Sequence, residues 1–306
     1  MIPYGKQDIS QQDIDAVVDV LKSDFLTQGP KVPAFESSLT SHTGAKHALA
    51  VNSATSALHI ACMALELGEG DWLWTSPVTF VASANAGLYC GAKVDFVDID
   101  PVTNNISVKE LNNKLKNAKV KNKLPKILVI VHFGGNPCDL EKIKNLSKKY
   151  KFRIIEDASH ALGAVYKNDK IGSCKYSDIT VFSFHPVKMI TSAEGGMLLT
   201  NNKNLFNKIY RLKSHGIVRH NDELVKVKEG PWYYEQVELG FNYRMNDIQA
   251  ALGLSQLSKL NEFVKKRNEI ANFYNKSFST VEWINTPTIN KKTKCSFHLY
   301  IIRVPK

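Results

Sequence analysis

A chain of 306 residues, 43% of them hydrophobic, is long enough to bury a sizeable core as one large domain with part of a second. Its formal charge of +11 comes almost wholly from lysine, concentrated in Lys109 to Lys126 and Lys142 to Lys151. Without interleaved aromatics those runs read as solvated helix faces rather than a nucleic-acid groove, although their field would steer an anionic substrate.

Taken in order, Ile2-Pro3-Tyr4-Gly5-Lys6 does not open like a signal segment, and no stretch approaches the roughly 20 apolar residues that span a bilayer. The cytoplasm is therefore the expected location, with no membrane and no nucleic acid as partner. Ser10 precedes Asp13 in a capping-box arrangement, and Ile14, Val17, Val18 and Leu21 recur at helical spacing, which predicts an amphipathic helix. Phe25 to Pro30 reads as a turn-rich segment. Strands and helices then alternate: strand His47 to Val51, helix Thr55 to Leu67, strand Trp72 to Thr75, helix Phe80 to Tyr89 and strand Val94 to Val97. Further strands are predicted at Ile127 to His132, Phe152 to Glu156, Ile179 to Phe184 and Met197 to Thr200. The alternation argues for an α/β fold, a mainly parallel sheet flanked by helices, with ligands at the carboxyl ends of the strands. Asp247 to Lys276 reads as one long helical connection, and Val281 to Val304 as a second unit containing a strand, His298 to Val304. The five cysteines are scattered with no metal-ligand spacing, so buried free thiols are expected and no metal.

Chemistry concentrates at the strand exits. Lys188 follows a β-branched strand and the stiffening Pro186, and precedes Gly195-Gly196, which lets backbone pass close to something bulky; a lysine so held is a candidate covalent catalyst. Asn52 to Leu58 places hydroxyls where a strand gives way to a helix, either an anion cup or an ordinary cap. Asp157 closes an apolar strand as a cap, a metal ligand or the partner of a cationic heterocycle. Metal is disfavoured, because no third ligand accompanies Asp157 and His160. A lysine that forms a Schiff base, an acid that keeps a ring nitrogen protonated, a stacking aromatic and a phosphate cup together describe pyridoxal phosphate.

The ordered set NSATSAL, SPVTFVASAN, EDASHALGA, SFHPVK, EGG, SHG and GFNYRMNDIQAALGLSQL resembles the DegT/DnrJ/EryC1/StrS family of sugar-nucleotide aminotransferases, in register from residue 2 to the end. The resemblance implies the fold-type I pyridoxal-phosphate architecture. It gives Lys188 the Schiff base and the proton shuttle, Asp157 the pyridinium nitrogen, His160 support of the ring or its hydroxyl, and Phe80 the stacking. Ala54 and Thr55, with Ser183, would bind the phosphate; Asn242 would reach in from a second subunit of a homodimer, with Arg244 beside it. Tyr4 and Asp24, Phe25, Leu26 and Thr27 would line the sugar-nucleotide site. Residues 1–245 would form the large cofactor domain and 246–306 the connecting helix and start of an incomplete small domain, so that a longer chain is expected to be more soluble and active. Within the family, Leu26 to Gly29, Leu88 to Ala92 and Trp232 to Gln236 look most like the pseudaminic acid branch, which aminates C4 of a UDP-linked 4-keto-6-deoxy-N-acetyl-L-hexosamine, with glutamate as expected donor. The alternatives are a GDP-perosamine-type aminotransferase and a non-catalytic binding protein. Relatives that dehydrate sugars carry histidine in place of the lysine, so Lys188 argues against that branch.

Overall fold

The computed structural model describes residues 5–219, 224, 226 and 230–305. Tyr4 lies outside them. Helix α1 (Gln11–Leu21) begins at the expected capping box, the Asp13 carboxylate accepting from the Ser10 amide at 2.9 Å. Helix α2 (Lys31–Thr43) was not anticipated: its N-cap is Pro30, with no side-chain hydrogen bond. Its signal is the buried spacing Phe35, Leu39, Thr43 ahead of Gly44, which ends the helix in the left-handed region at φ 82°.

The chain then alternates: β1 (His47–Val51), α3 (Ala54–Ala64), β2 (Trp72–Thr75), α4 (Ala82–Tyr89), β3 (Lys93–Phe96), α5 (Val108–Val120), β4 (Ile127–Val131), α6 (Leu140–Tyr150) and β5 (Arg153–Asp157). A short hairpin, β6 (Val165–Tyr166) and β7 (Asp169–Lys170), precedes β8 (Ile179–Ser183), β9 (Gly196–Thr200) and α7 (Lys203–Leu212). The remainder comprises β10 (Ile217–Val218), β11 (Glu235–Gln236), α8 (Asp247–Ser258), α9 (Leu260–Ser277) and β12 (Thr293–Lys294). Seven strands make the main sheet in the order β1-β9-β8-β5-β4-β2-β3. Only β9 runs against its neighbours, so the sheet is mainly parallel, as expected.

Apolar side chains cover both faces, which is why these strands read as nearly continuous hydrophobic runs. On one face Val51, Val129, Ile155 and Val181 pack with Leu58 and Ile60 of α3 and Ala86 of α4. On the other, Leu128, Ile130, Ile154 and Phe182 pack with Phe35, Leu39, Leu111, Leu115 and Ile143. The lysine-rich α5 and α6 thus bury their apolar stripes and leave the lysine faces to solvent, as expected.

Two expectations at the carboxyl side are corrected. Asp247 to Lys276 is two helices, broken at Lys259, whose ammonium turns to the buried Asp13 carboxylate at 2.5 Å. His298 to Val304 forms no strand: its sole bridge is Arg303 with Asn285, and its nearer backbone bond runs from the Leu299 N–H to the Gly134 carbonyl at 3.2 Å. Strand propensity without a neighbouring ladder yields an extended, singly bridged segment. Among the described residues no helix is long and apolar enough to cross a membrane.

Candidate functional site

At the carboxyl ends of β4, β5 and β8, on the face covered by α3 and α4, lies a cleft of about 550 Å³, within the range of small-molecule sites. Asp157 forms its floor. The strand period turns Asp157 to the α3/α4 face and its neighbour Glu156 to the other. Oδ1 of Asp157 accepts from the Ser159 amide at 3.2 Å and the Ser159 hydroxyl at 2.6 Å. Oδ2 accepts from the Ser83 hydroxyl at 2.7 Å, and Ser83 shares a 2.7 Å hydrogen bond with Thr79. A carboxylate offers about four lone-pair sites, so Oδ2 keeps room for one further donor from the cleft.

The cup is built where β1 turns into α3. The Ser53 hydroxyl caps the helix, accepting from the Ser56 amide at 3.0 Å, so capping accounts for Ser53. The amides of Ala54 and Thr55, in the first turn, have no intrahelical carbonyl to meet, and they border the cleft at the positive end of the helix. Ser183, the last residue of β8, brings its hydroxyl to the same cleft. Gly196 makes this assembly possible. It pairs with Val51 on one side and Ser183 on the other, and a Cβ there would lie 2.6 Å from the Ser53 carbonyl and 2.7 Å from the Ala54 nitrogen. The bulky neighbour expected at the glycine pair is the backbone of the cup itself.

Lys188 projects from a closed loop. The Phe184 N–H bonds the Gly195 carbonyl and the Phe184 carbonyl accepts from Ser192, both at 2.9 Å; a turn closes with the Lys188 N–H on the His185 carbonyl at 2.9 Å. Phe184, Met189 and Ile190 are buried and root the loop in the core. The half-buried Lys188 amine meets no hydrogen bond or ion pair among the described residues, and burial holds it below the usual lysine value while Asp157 opposes that shift. His160 borders the same cleft and accepts the Gly134 N–H at 3.3 Å on Nδ1, which assigns the proton of its neutral ring to Nε2. Burial, with Lys188 adding and Asp157 opposing, pushes His160 down to about 4.

The structure therefore brings Ala54, Thr55, Phe80, Asp157, His160, Ser183 and Lys188 to one cleft. Phe80 stands at its mouth, 69% exposed, as an unstacked ring would. Asn242 and Arg244 are not among the lining residues. Asn242 is exposed beside β1, where the Asn52 N–H meets the Tyr243 carbonyl at 2.9 Å, and Arg244 donates to the Ser214 hydroxyl at 3.1 Å. Asp24, Phe25, Leu26 and Thr27 are exposed and outside this lining; Asp247 pins their loop through the amides of Gly29 and Lys31, each at 2.8 Å. Ser83 and Ser159 escaped the sequence reading. Ser159 had a local signal, the aspartate-x-serine spacing of an Asx turn; Ser83 is only a serine in the first turn of α4. His185 and Glu194, at the rim, were also passed over.

This donor set fits pyridoxal phosphate: unpaired amides and a hydroxyl for a phosphate, an amine of lowered basicity for the aldehyde, and a carboxylate with a free site for a ring N–H. Known proteins agree. The DegT/DnrJ/EryC1/StrS aminotransferase family matches residues 7–306. The UDP-4-amino-4,6-dideoxy-N-acetyl-beta-L-altrosamine transaminase of Campylobacter jejuni subsp. jejuni serotype O:23/36 is 47% identical over 99% of this chain and 76% of its own. Among solved structures, Helicobacter pylori PseC, an aminotransferase involved in the biosynthesis of pseudoaminic acid, superposes with TM-score 0.89 at 36% identity over 99% of this chain and 78% of that one. The putative sugar aminotransferase Spr1654 from Streptococcus pneumoniae, in its PMP form, gives TM-score 0.89 at 30% identity over 99% and 79%. The motifs, the cleft and these likenesses converge: the chain belongs to the DegT/DnrJ/EryC1/StrS family of aminotransferases, whose cofactor is pyridoxal phosphate.

Proposed function

We propose that this chain transfers an amino group from glutamate to C4 of a UDP-linked 4-keto-6-deoxy-N-acetylhexosamine, as a cytoplasmic homodimer acting in pseudaminic acid synthesis. The observation that carries the chemistry is the unpaired Lys188 amine sharing one cleft with the Asp157 carboxylate and the open cup of α3. The substrate follows from the 47% identical transaminase and from the likeness to PseC. Residues 1–245 serve as the cofactor domain and 246–306 as two connecting helices and part of a smaller domain. The exposed Asn242, at the border of the cup, reaches the site of a second copy, with Arg244 beside it. Tyr4 and the Asp24 to Thr27 segment receive the nucleotide sugar.

Pyridoxal phosphate, when bound, supplies an electron sink that lets nitrogen leave an amino acid and enter a keto carbon. The amides of Ala54 and Thr55 and the hydroxyls of Thr55 and Ser183 would hold the phosphate, and Phe80 would cover the ring. Oδ2 of Asp157, steadied by Ser83, holds the proton on the ring nitrogen. The Lys188 Nζ, less basic than a solvated lysine, would take the proton from the α-carbon of the amino donor in the first half-reaction and deliver a proton to C4 of the sugar in the second. His160 offers its Nε2 proton to the ring hydroxyl. The experiment is to add glutamate to the chain loaded with pyridoxal phosphate and follow the visible spectrum to the pyridoxamine form, then to offer UDP- and GDP-linked 4-ketosugars. Conversion followed by amination of the UDP sugar is expected. A spectrum unmoved by any amino acid would make the chain a binding protein, and preference for the GDP sugar would overturn the nucleotide assignment.

A further inference from the structure

We propose that His298 is a positioning residue for this site: its ring walls off His160 from solvent and holds it in one orientation, so that the assembled cleft depends on docking of the segment 293–303. The inference rests on the cleft role proposed for His160 and concerns only side chains of this chain.

The segment is keyed into the loop after β4. The Ser296 N–H bonds the Gly135 carbonyl at 3.1 Å, the Leu299 N–H bonds the Gly134 carbonyl at 3.2 Å, and the Ser296 hydroxyl bonds the carbonyl of His160 itself at 2.9 Å. Gly134 and Gly135 both take the left-handed conformation. A Cβ on Gly135 would lie 2.8 Å from the His160 carbonyl and 3.1 Å from the His298 nitrogen, so the approach requires glycine. Arg267 of α9 fastens the far side, donating to the carbonyls of Phe297 and His298 at 3.2 and 3.1 Å. The chain thereby carries His298 onto His160, with ring centroids 4.3 Å apart at 34°.

The two histidines do different work. His160 borders the cleft and has a hydrogen bond to direct it, whereas His298 is absent from the cleft lining and its Nδ1 is buried without a partner among the described residues. The charged and titratable groups facing His298 are His160, Lys188 and Arg267, all of which oppose a second positive charge; those facing His160 are Lys188, Asp157 and His298. With no acceptor and this company, His298 stays neutral and acts as an aromatic wall. Such a wall keeps water from His160 and so holds it in the neutral form that donates from Nε2.

The test follows the His160 ring protons by NMR against pH in the full chain, before and after loading with pyridoxal phosphate. His298→Ala should raise the His160 midpoint from about 4 by roughly one unit or more as water enters, and the acid limb of kcat/KM should move up with it. His298→Phe restores the wall and should return both to wild type. If the alanine variant does not fold, His298→Gln, which admits water while keeping bulk, takes its place with the same expectation. A merely structural role would lower the melting temperature and activity at every pH without moving the His160 midpoint, and that result overturns the proposal. So does a phenylalanine variant that shifts as far as alanine. A chain that shows the His160 shift but no transamination refutes the aminotransferase mechanism and leaves this inference standing.

Discussion

Replacing Gly196 by alanine probes the cup from behind, through the backbone of Ser53 and Ala54, at a residue that does not itself line the cleft. Gly196 opens β9 between the two halves of the cup, paired with Val51 before the Ser53-Ala54 turn and with Ser183 on β8. Its φ is not left-handed, so the substitution is a test of space alone. The new Cβ would sit 2.6 Å from the Ser53 carbonyl carbon and oxygen, and ordinary contact begins at 3.4 Å. These are backbone atoms, unable to rotate away, so α3 and β9 must part by several tenths of an ångström. Overpacking of this kind costs about 1–3 kcal/mol of stability. Separation also draws the Ala54 and Thr55 amides away from Ser183. A charge-assisted hydrogen bond is worth about 1.5–3 kcal/mol, and the loss of one raises the dissociation constant for pyridoxal phosphate about 10- to 100-fold. Gly195→Ala is the control: its Cβ would meet the Ser192 hydroxyl and, at 2.5 Å, the Met245 methyl, side-chain ends rather than the backbone of the cup. Absorbance titration with pyridoxal phosphate, together with urea unfolding of both variants, reads the two effects separately. Equal cofactor affinity in Gly196→Ala and Gly195→Ala would refute the reasoning.

Lys188→Ala should abolish turnover and the visible absorbance of lysine-linked cofactor while retaining binding through the cup; transamination by this variant would remove the lysine from the mechanism. Phe80→Ala should weaken pyridoxal phosphate less than joint removal of the Ser183 and Thr55 hydroxyls, because a stacked ring adds roughly 0.5–1.5 kcal/mol against about 1.5–3 for each bond to a charged group; the reverse order of dissociation constants contradicts the assignment. Burial raises the Asp13 carboxyl, but hydrogen bonds from Lys259, Ser255, the Ser10 amide and Gln256 outweigh it and hold the group well below 3.8. Its folded value is depressed, so its stabilisation is complete above the unfolded value near 3.8 and fades as pH falls through the lowered one. Asp13→Asn should therefore cost about 3 kcal/mol at neutral pH and flatten the decline of stability below pH 4; a urea midpoint unchanged at pH 7 would count against the network.

The main sheet was legible because parallel strands buried on both faces leave apolar runs between helices of ordinary length. His47–Val51 and Trp72–Thr75 emerge with the boundaries read from those runs. Helix α2 was not legible: Pro33 and a polar middle mute its periodicity, and it exists because Phe35 and Leu39 find the sheet and α8. The strand expected at His298 to Val304 failed for the complementary reason, since alternation needs a paired edge as well as a pattern. Within the site, motif order located the lysine, the aspartate and the cup. The groups that hold them, Ser83 and His298, come from positions 74 residues before Asp157 and 138 after His160, and only the folded chain brings them together.

The pair Glu156-Asp157 shows why adjacent acids of one strand take unlike roles. Both are nearly fully buried. On the α5/α6 side, Glu156 meets the Nε2 of His132 at 2.9 Å, the Ser177 hydroxyl, and the Thr180 hydroxyl at 3.3 Å. The Nδ1 of His132 accepts the Cys138 N–H at 3.0 Å, so His132 donates from Nε2 and ties the ends of β4 and β5 to β8. Every partner of Glu156 belongs to the fold, and none opens to the cleft. Asp157, one residue on, spends three acceptor sites on Ser83 and Ser159 and keeps one facing the ligand. A buried carboxylate whose partners all belong to the framework stabilises strands; one that accepts as many bonds but borders a cleft can hold a proton on something that arrives. The strand period alone, which turns one residue outward to the cleft and its neighbour inward to the framework, divides structure from chemistry here.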